Sequence, residues 1–289
     1  MSFLIDVKAL AGLFQKATKP LVLLDATWYM PNDPKNGHDE FLKNRLPGAQ
    51  FFDIDGVKDF NNPLPHMLPT ASLFAEYIGK LGIDRNSSVV VYDRIGLFSS
   101  PRVYWTFKVF GHEDVSILSG GLPAWTEAGF ELETGEPNAA VPKEYKGAVL
   151  NKNLVASFED IIEISQGPNA QNAIVVDARA PERFNGSVPE VRPGIACGCI
   201  PKSINVFFKD VLDNSGLHLK PVDVLKQLFV SKGLADPKQP IVTSCGSGIT
   251  ASTLFVALHA AGYSNVRVYD ESWTGYGKRA AEDPKLLGH

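Results

Sequence analysis

The residues from Ile241 to Gly262 read IVTSCGSGITASTLFVALHAAG. An apolar run ends just before Cys245, Gly246 and Gly248 follow, and apolar side chains then recur at Ala251, Leu254, Phe255, Leu258 and Ala261, the spacing of a helix face. The pattern predicts a buried strand, a loop from Cys245 to Thr250, and a helix stopped at Gly262. Glycines at these two positions permit backbone angles that other residues resist. They can turn successive N–H groups inward ahead of a helix N-terminus, which makes a nest for an anion. The thiolate is the reactive form of cysteine, and amide donors beside a helix terminus favour it. Ser247 and Thr250 add hydroxyl donors without charge. The reading expects an exposed sulfur, held as an anion by inward-facing amides. Its competitor is a small buried core cysteine, which leaves two glycines between strand and helix without a reason.

The same loop excludes one chemistry. Tyrosine-type phosphatases also place a cysteine nest between strand and helix, but hold phosphate with an arginine six positions after the cysteine. Ala251 stands there, so a phosphate dianion would lack its bidentate partner.

The elements that must position this loop occur twice. KPLVLLDATW (19–28) is matched by NAIVVDARAP (172–181), and RLPGAQFFDI (45–54) by CIPKSINVFF (199–208). SSVVVYDRIGLFSSPRVYWTFKVFG (87–111) is matched by KQPIVTSCGSGITASTLFVALHAAG (238–262), and SILSGGLPAW (116–125) by RVYDESWTGY (267–276). The interval from Asp25 to Asp93 equals that from Asp177 to Cys245. A repeat of about 150 residues is a duplicated domain and not a solenoid. Short apolar runs alternating with helical stretches predict an α/β fold of two tandem domains, each a mainly parallel central sheet flanked by helices. The Pro-, Gly- and Asn-rich stretch from Glu133 to Asn153 reads as a surface linker. The domains are taken as 1–138 and 154–289, with 139–153 between them. Asp93 stands where the second copy has Cys245, so the first copy is read as non-catalytic.

A chain of 289 residues with 44% apolar composition can bury one large core or two ordinary ones. A net charge of -4 gives no basic field for nucleic acid or anionic membrane. No apolar run is long enough to span a bilayer. The first 15 residues lack the features of a secretory signal. Three cysteines, Cys197, Cys199 and Cys245, do not make a disulfide scaffold. A reducing compartment is expected, the cytoplasm first, with the mitochondrion kept open.

CGSGITA at 245–251 resembles the active loop of the rhodanese superfamily. DATWYMP, FFDID, HMLP, VVYDRIGLFSSPR, GGLPAW, DARAPERFNG and DESW look like further segments of that family, over nearly the whole chain. Thiosulfate-using members carry cationic residues at the second and third loop positions. Neutral Gly246 and Ser247 resemble instead the branch that acts on 3-mercaptopyruvate. The resemblance implies two rhodanese-like domains and sulfur transfer without metal or organic cofactor. The Cys245 thiolate would take sulfur from 3-mercaptopyruvate, release pyruvate and become a persulfide. A small thiol, a thioredoxin-like protein or cyanide would then accept the sulfur. The substrate-binding residues implied are Arg183 and Arg192, with Gly246, Gly248, Ile249 and Thr250 of the loop; a guanidinium fork suits a carboxylate. Arg179 is expected to pack beside Asp177 instead. Asp55, His66, Cys245 and Ser247 would form a proton relay; the competing role for His66 is to cap the following helix. A monomer is expected, with no nucleic-acid or membrane partner.

Two readings stay beside this one: thiosulfate as donor, or a persulfide-carrying relay serving tRNA thiolation or cofactor sulfuration. An inactive regulatory copy fits poorly with a retained Cys245. The chain departs from the family where CGCIPKS puts Cys199 and Lys202 at positions usually His and Gly, and where Arg45 replaces His in the first half. Cys197 and Cys199 are read as packing residues, with a redox or metal pair as the alternative; two sulfurs make only half a zinc site.

Overall fold

The computed structural model describes residues 3–16, 18–167 and 173–288. Its first sheet has strands β1 (Leu4–Ile5), β2 (Leu21–Asp25), β3 (Gln50–Phe51), β4 (Ser88–Tyr92) and β5 (Val115–Leu118), in the order β1-β5-β4-β2-β3. The second has β6 (Val155–Ala156), β7 (Ile174–Asp177), β8 (Ile204–Asn205), β9 (Ile241–Ser244) and β10 (Val266–Tyr269), in the order β6-β10-β9-β7-β8. All pairings within both sheets are parallel. The expected α/β duplication is therefore what the chain forms. The edge strands β1 and β6 are two residues long, too short to leave a periodic signal.

Central strands SVVVY and IVTS are buried at every position, as β-branched runs covered on both faces should be. In the first unit Leu23, Phe41, Tyr92, Leu118 and Trp125 belong to one core cluster. In the second, Ile161, Val175, Val242, Tyr269 and Trp273 do so. From β7 the chain runs outward to β8 and then returns to the other side of β7 as β9. The carboxyl ends of β7 and β9 thus flank a topological switch point, where open α/β sheets leave a crevice for ligands.

The two compact units are not contiguous in sequence. The first comprises Met1–Phe60, Leu68–Asn151 and Asn214–His218; the second comprises Asn61–Met67, Lys152–Asp213 and Leu219–His289. The connection after Glu133 lies on the first unit. Lys143 N–H donates to Gly79 O (2.9 Å), Arg85 Nη2 to Gly147 O (2.6 Å) and Asn151 N–H to Val109 O (2.8 Å). Arg45 is buried and pins the start of this connection. Its guanidinium bonds the Gly135 and Glu136 carbonyls and lies 4.9 Å from the Phe41 ring centre. Its repeat partner Cys199 makes the corresponding lone bridge, pairing with Gly288 as Arg45 pairs with Glu133. The helix Ala71–Lys80 is capped by Thr70, whose Oγ1 accepts from Leu73 N–H, so His66 is not its cap.

Lys202 occupies the repeat position of Gly48, and both are left-handed, with φ of 61° and 72°. A lysine there carries a clash between Cβ and backbone that glycine avoids. Lys202→Gly is expected to stabilise the second unit by about 1 kcal/mol, the relieved strain exceeding the extra freedom of the unfolded glycine; an unmoved urea midpoint would contradict this.

Asp25 is fully buried. Burial pushes its pKa up to about 6 from 3.8, against the Thr27 hydrogen bonds and the Arg94 charge. The folded chain keeps a proton that the unfolded chain releases, so this residue's contribution is fully present below pH 4 and is lost as pH rises to about 6. Relative to Asp25→Asn, the native protein should lose on the order of 3 kcal/mol between pH 4 and pH 7. Urea titrations of both proteins at the two pH values check the difference, and parallel pH dependence would refute it.

Candidate active site

Cys245 follows β9 at the switch point. Gly248 takes φ 82° and the helix Ile249–Ala260 begins directly after it. The helix thus starts two residues earlier than its apolar spacing predicts, because one left-handed glycine suffices to turn the chain. Its C-terminal stop is as expected, with Gly262 at φ 94°. Gly246 has no left-handed angle. A Cβ on it would lie 3.2 Å from Arg183 Nη2, so this glycine serves close approach and not backbone freedom.

The loop is oriented by the helix Ser272–Glu282. Trp273 N–H donates to the Cys245 carbonyl (2.9 Å) and Thr274 N–H to the Gly246 carbonyl (2.9 Å), with Thr274 Oγ1 on the same oxygen at 2.6 Å. A trans peptide sets each N–H opposite the preceding carbonyl. The Gly246 and Ser247 N–H groups are therefore aimed away from that helix. Gly248 N–H donates to Cys245 Sγ at 3.1 Å. Ser272 Oγ accepts from Cys245 N–H (3.1 Å), donates to Tyr269 O (2.9 Å) and lies 4.0 Å from Sγ. The first-turn amides of the helix Ile249–Ala260 have no partner within their own helix.

The expectation of an exposed sulfur is corrected: Cys245 is only 2% exposed. Loop patterning gives the direction of the amides but not what covers the side chain. Ser247 and Ile249 beside it are also buried, and Thr250 is half-buried. The amide contact to Sγ separates this cysteine from an inert core thiol.

Arg183 sits on the short helix Pro181–Phe184 after β7, and its guanidinium lies against Gly246. Glu190 holds it through Nε (3.2 Å) and Nη2. The same carboxylate binds Arg179 Nη1 at 2.7 Å. Arg179 is the structural residue expected: it grips Asp177 with Nε and Nη2 and the Gly198 carbonyl with Nη2, and its guanidinium lies 4.4 Å from the Trp273 ring centre. Burial opposes its charge, but Asp177 and Glu190 hold its pKa above the ordinary arginine value. Arg192 is half-buried in the loop that carries Glu190. His66 is buried, has φ 61°, and belongs to the segment grouped with the second unit. In that segment Leu64 packs on Gly275 of the helix Ser272–Glu282. Asp55 belongs to the first unit, where its carboxylate accepts Trp28 Nε1–H at 2.8 Å. Cys197 is exposed and Cys199 half-buried; burial pushes the Cys199 thiol up.

Sequence reasoning missed Ser272, Thr274 and Glu190. One signal for Ser272 was available. Its repeat partner is Gly121, and both have positive φ, 50° and 55°. A position that is glycine in one copy marks a backbone requirement in the other.

The family model for the Rhodanese-like domain matches residues 10–128 and 159–279. The chain belongs to this family, as a tandem of two such domains. It is 56% identical over 287 residues, 99% of this chain and 96% of the relative, to a protein of Schizosaccharomyces pombe named probable 3-mercaptopyruvate sulfurtransferase. It is 42% identical to the mouse 3-mercaptopyruvate sulfurtransferase, over 92% of this chain and 88% of that one. Among solved structures, the Tum1 protein of Saccharomyces cerevisiae superposes with a TM-score of 0.90 at 31% identity, covering 99% of this chain and 97% of that one.

Gly248→Ala places a β-carbon on a left-handed residue, at a cost of about 1–2 kcal/mol, and shifts an amide that is hydrogen-bonded to Sγ. The rate of Cys245 alkylation by iodoacetamide is expected to fall about tenfold. A rate equal to that of the native protein would show that this amide does not govern sulfur reactivity.

Proposed function

We infer that this chain is a sulfurtransferase that takes sulfur from 3-mercaptopyruvate through a persulfide on Cys245. The observation that carries the reading is the placement of the Cys245 sulfur at the amide-lined end of β9, with the Arg183 guanidinium against the same loop. The thiolate attacks the donor's sulfur, the carbon–sulfur bond breaks, and its electron pair goes to carbon to give the enolate of pyruvate. A proton completes the product. Arg183 and Arg192 hold the donor's carboxylate and carbonyl oxygens, with Gly246, Gly248, Ile249 and Thr250 forming the floor of the site. Ser247, His66 and Asp55 take the proton-relay role. The loop's neutral donors suit thiolate and persulfide alike, so one site serves both half-reactions.

The first repeat, 1–138, is the non-catalytic copy, 139–153 the connection, and 154–289 the catalytic copy. A small thiol or a thioredoxin-like protein accepts the sulfur, and the protein acts as a monomer in the cytoplasm or mitochondrion. Among the described residues no helix is long and apolar enough to cross a membrane.

Exposure to 3-mercaptopyruvate should add one sulfur atom, about 32 Da, to Cys245. Intact-mass and peptide mass spectrometry should show the adduct in the native protein and not in Cys245→Ser. Arg183→Ala and Arg192→Ala should each raise KM for mercaptopyruvate by roughly tenfold or more while the thiol still reacts with iodoacetamide. An adduct that persists in Cys245→Ser would end this reading.

A further inference from the structure

Glu190 has a side chain 3% exposed and shared between two guanidinium groups: Arg179 on Oε1 and Arg183 on Oε2. Arg179 is in turn closed by Asp177. The ladder Asp177, Arg179, Glu190, Arg183 alternates in sign and sums to zero. Arg183 is its end member, 21% exposed, and faces the cysteine loop. Its Nε–Nη2 edge is committed to Glu190. Its Nη2 and Nη1 lie 3.2 and 3.8 Å from the Cβ position of Gly246, so the terminal edge is the one presented to the loop.

We propose that Glu190 is the specificity-determining residue for the sulfur donor: it fixes the edge that Arg183 presents and cancels enough of its charge to favour a singly charged carboxylate donor over a doubly charged one such as thiosulfate. The proposal rests on the reading of Arg183 as the donor's anchor. Its physical basis is that the energy of an anion in the site scales with its charge. Removing one negative charge beside Arg183 raises the local potential, and a dianion gains twice what a monoanion gains. Thiosulfate would react by the same attack. The Cys245 thiolate bonds to the sulfane sulfur, the sulfur–sulfur bond breaks, and sulfite leaves with the electron pair. Neutral Gly246 and Ser247 add no charge to offset the ladder.

The test compares kcat/KM for 3-mercaptopyruvate and thiosulfate at fixed ionic strength. Glu190→Gln is expected to raise the thiosulfate-to-mercaptopyruvate ratio about tenfold, chiefly through KM for thiosulfate, and added salt should shrink the change. Glu190→Asp keeps the charge but is one methylene too short to reach both arginines. It should raise KM for both donors alike and leave the ratio unchanged. In the native protein, pyruvate should compete with the donor at least tenfold more tightly than sulfate at low salt, a measurement that needs no variant to fold. An unchanged ratio in a folded Glu190→Gln, the same ratio shift in Glu190→Asp, or sulfate competing as well as pyruvate overturns the proposal. Arg183→Ala separates the two levels. If it leaves KM for mercaptopyruvate unaltered, the anchor reading itself fails; if KM rises while Glu190→Gln keeps the native ratio, only the role of Glu190 falls.

Discussion

Two backbone hydrogen bonds, from Trp273 and Thr274 to the carbonyls of Cys245 and Gly246, decide which way the loop's amides face. A peptide group cannot turn its carbonyl one way without sending its N–H the other. Tying both oxygens to the helix Ser272–Glu282 therefore commits the following amides to the opposite side. Ser272 adds to this by holding the Cys245 N–H, which keeps that donor from its own sulfur. The reactive geometry thus originates in a helix that carries none of the reacting atoms.

The first copy shows the same construction filled by a different anion. Leu122 N–H donates to the Asp93 carbonyl at 3.0 Å, as Trp273 does to Cys245. The Asp93 carboxylate accepts from the amides of Ile95, Phe98, Ser99 and Ser100 and from the Ser100 hydroxyl, at 2.8–3.1 Å. There the helix Ser100–Val109 starts later relative to the anchor residue than the helix Ile249–Ala260 does after Cys245, and the longer loop wraps its own carboxylate. There those donors are bound by the chain's own carboxylate. With a thiol in place of the carboxylate and a helix that starts sooner, Gly248 N–H donates to the sulfur instead.

The repeat, the parallel sheets and the loop after β9 were legible because each leaves a local pattern: β-branched runs, glycine spacing, matched intervals. What could not be read depends on distant contacts. Gly246 looks like a second hinge, and only the approach of Arg183 shows that it is there for space. Glu190 lies in an irregular segment without periodicity, and its role appears only when the chain folds back so that one carboxylate meets two arginines. The burial of Cys245 is likewise set by surroundings remote in sequence. The left-handed backbone of Lys202 was legible in the same way as that of Ser272, since its repeat partner Gly48 is a glycine.

A sulfur that is 2% exposed, and whose reactive form is the charged thiolate, sets competing demands. Burial raises the cost of any charge, so the stabilising donors must be fixed in place beforehand. A full positive charge against the sulfur would do this, but a thiolate held too strongly is a weaker nucleophile. Amide dipoles meet both demands, because each contributes a fraction of a charge and acts at short range. The same logic explains why Arg183, whose guanidinium lies against Gly246, is paired with a buried carboxylate. Its terminal edge faces the loop, while the charge of Glu190 offsets its own.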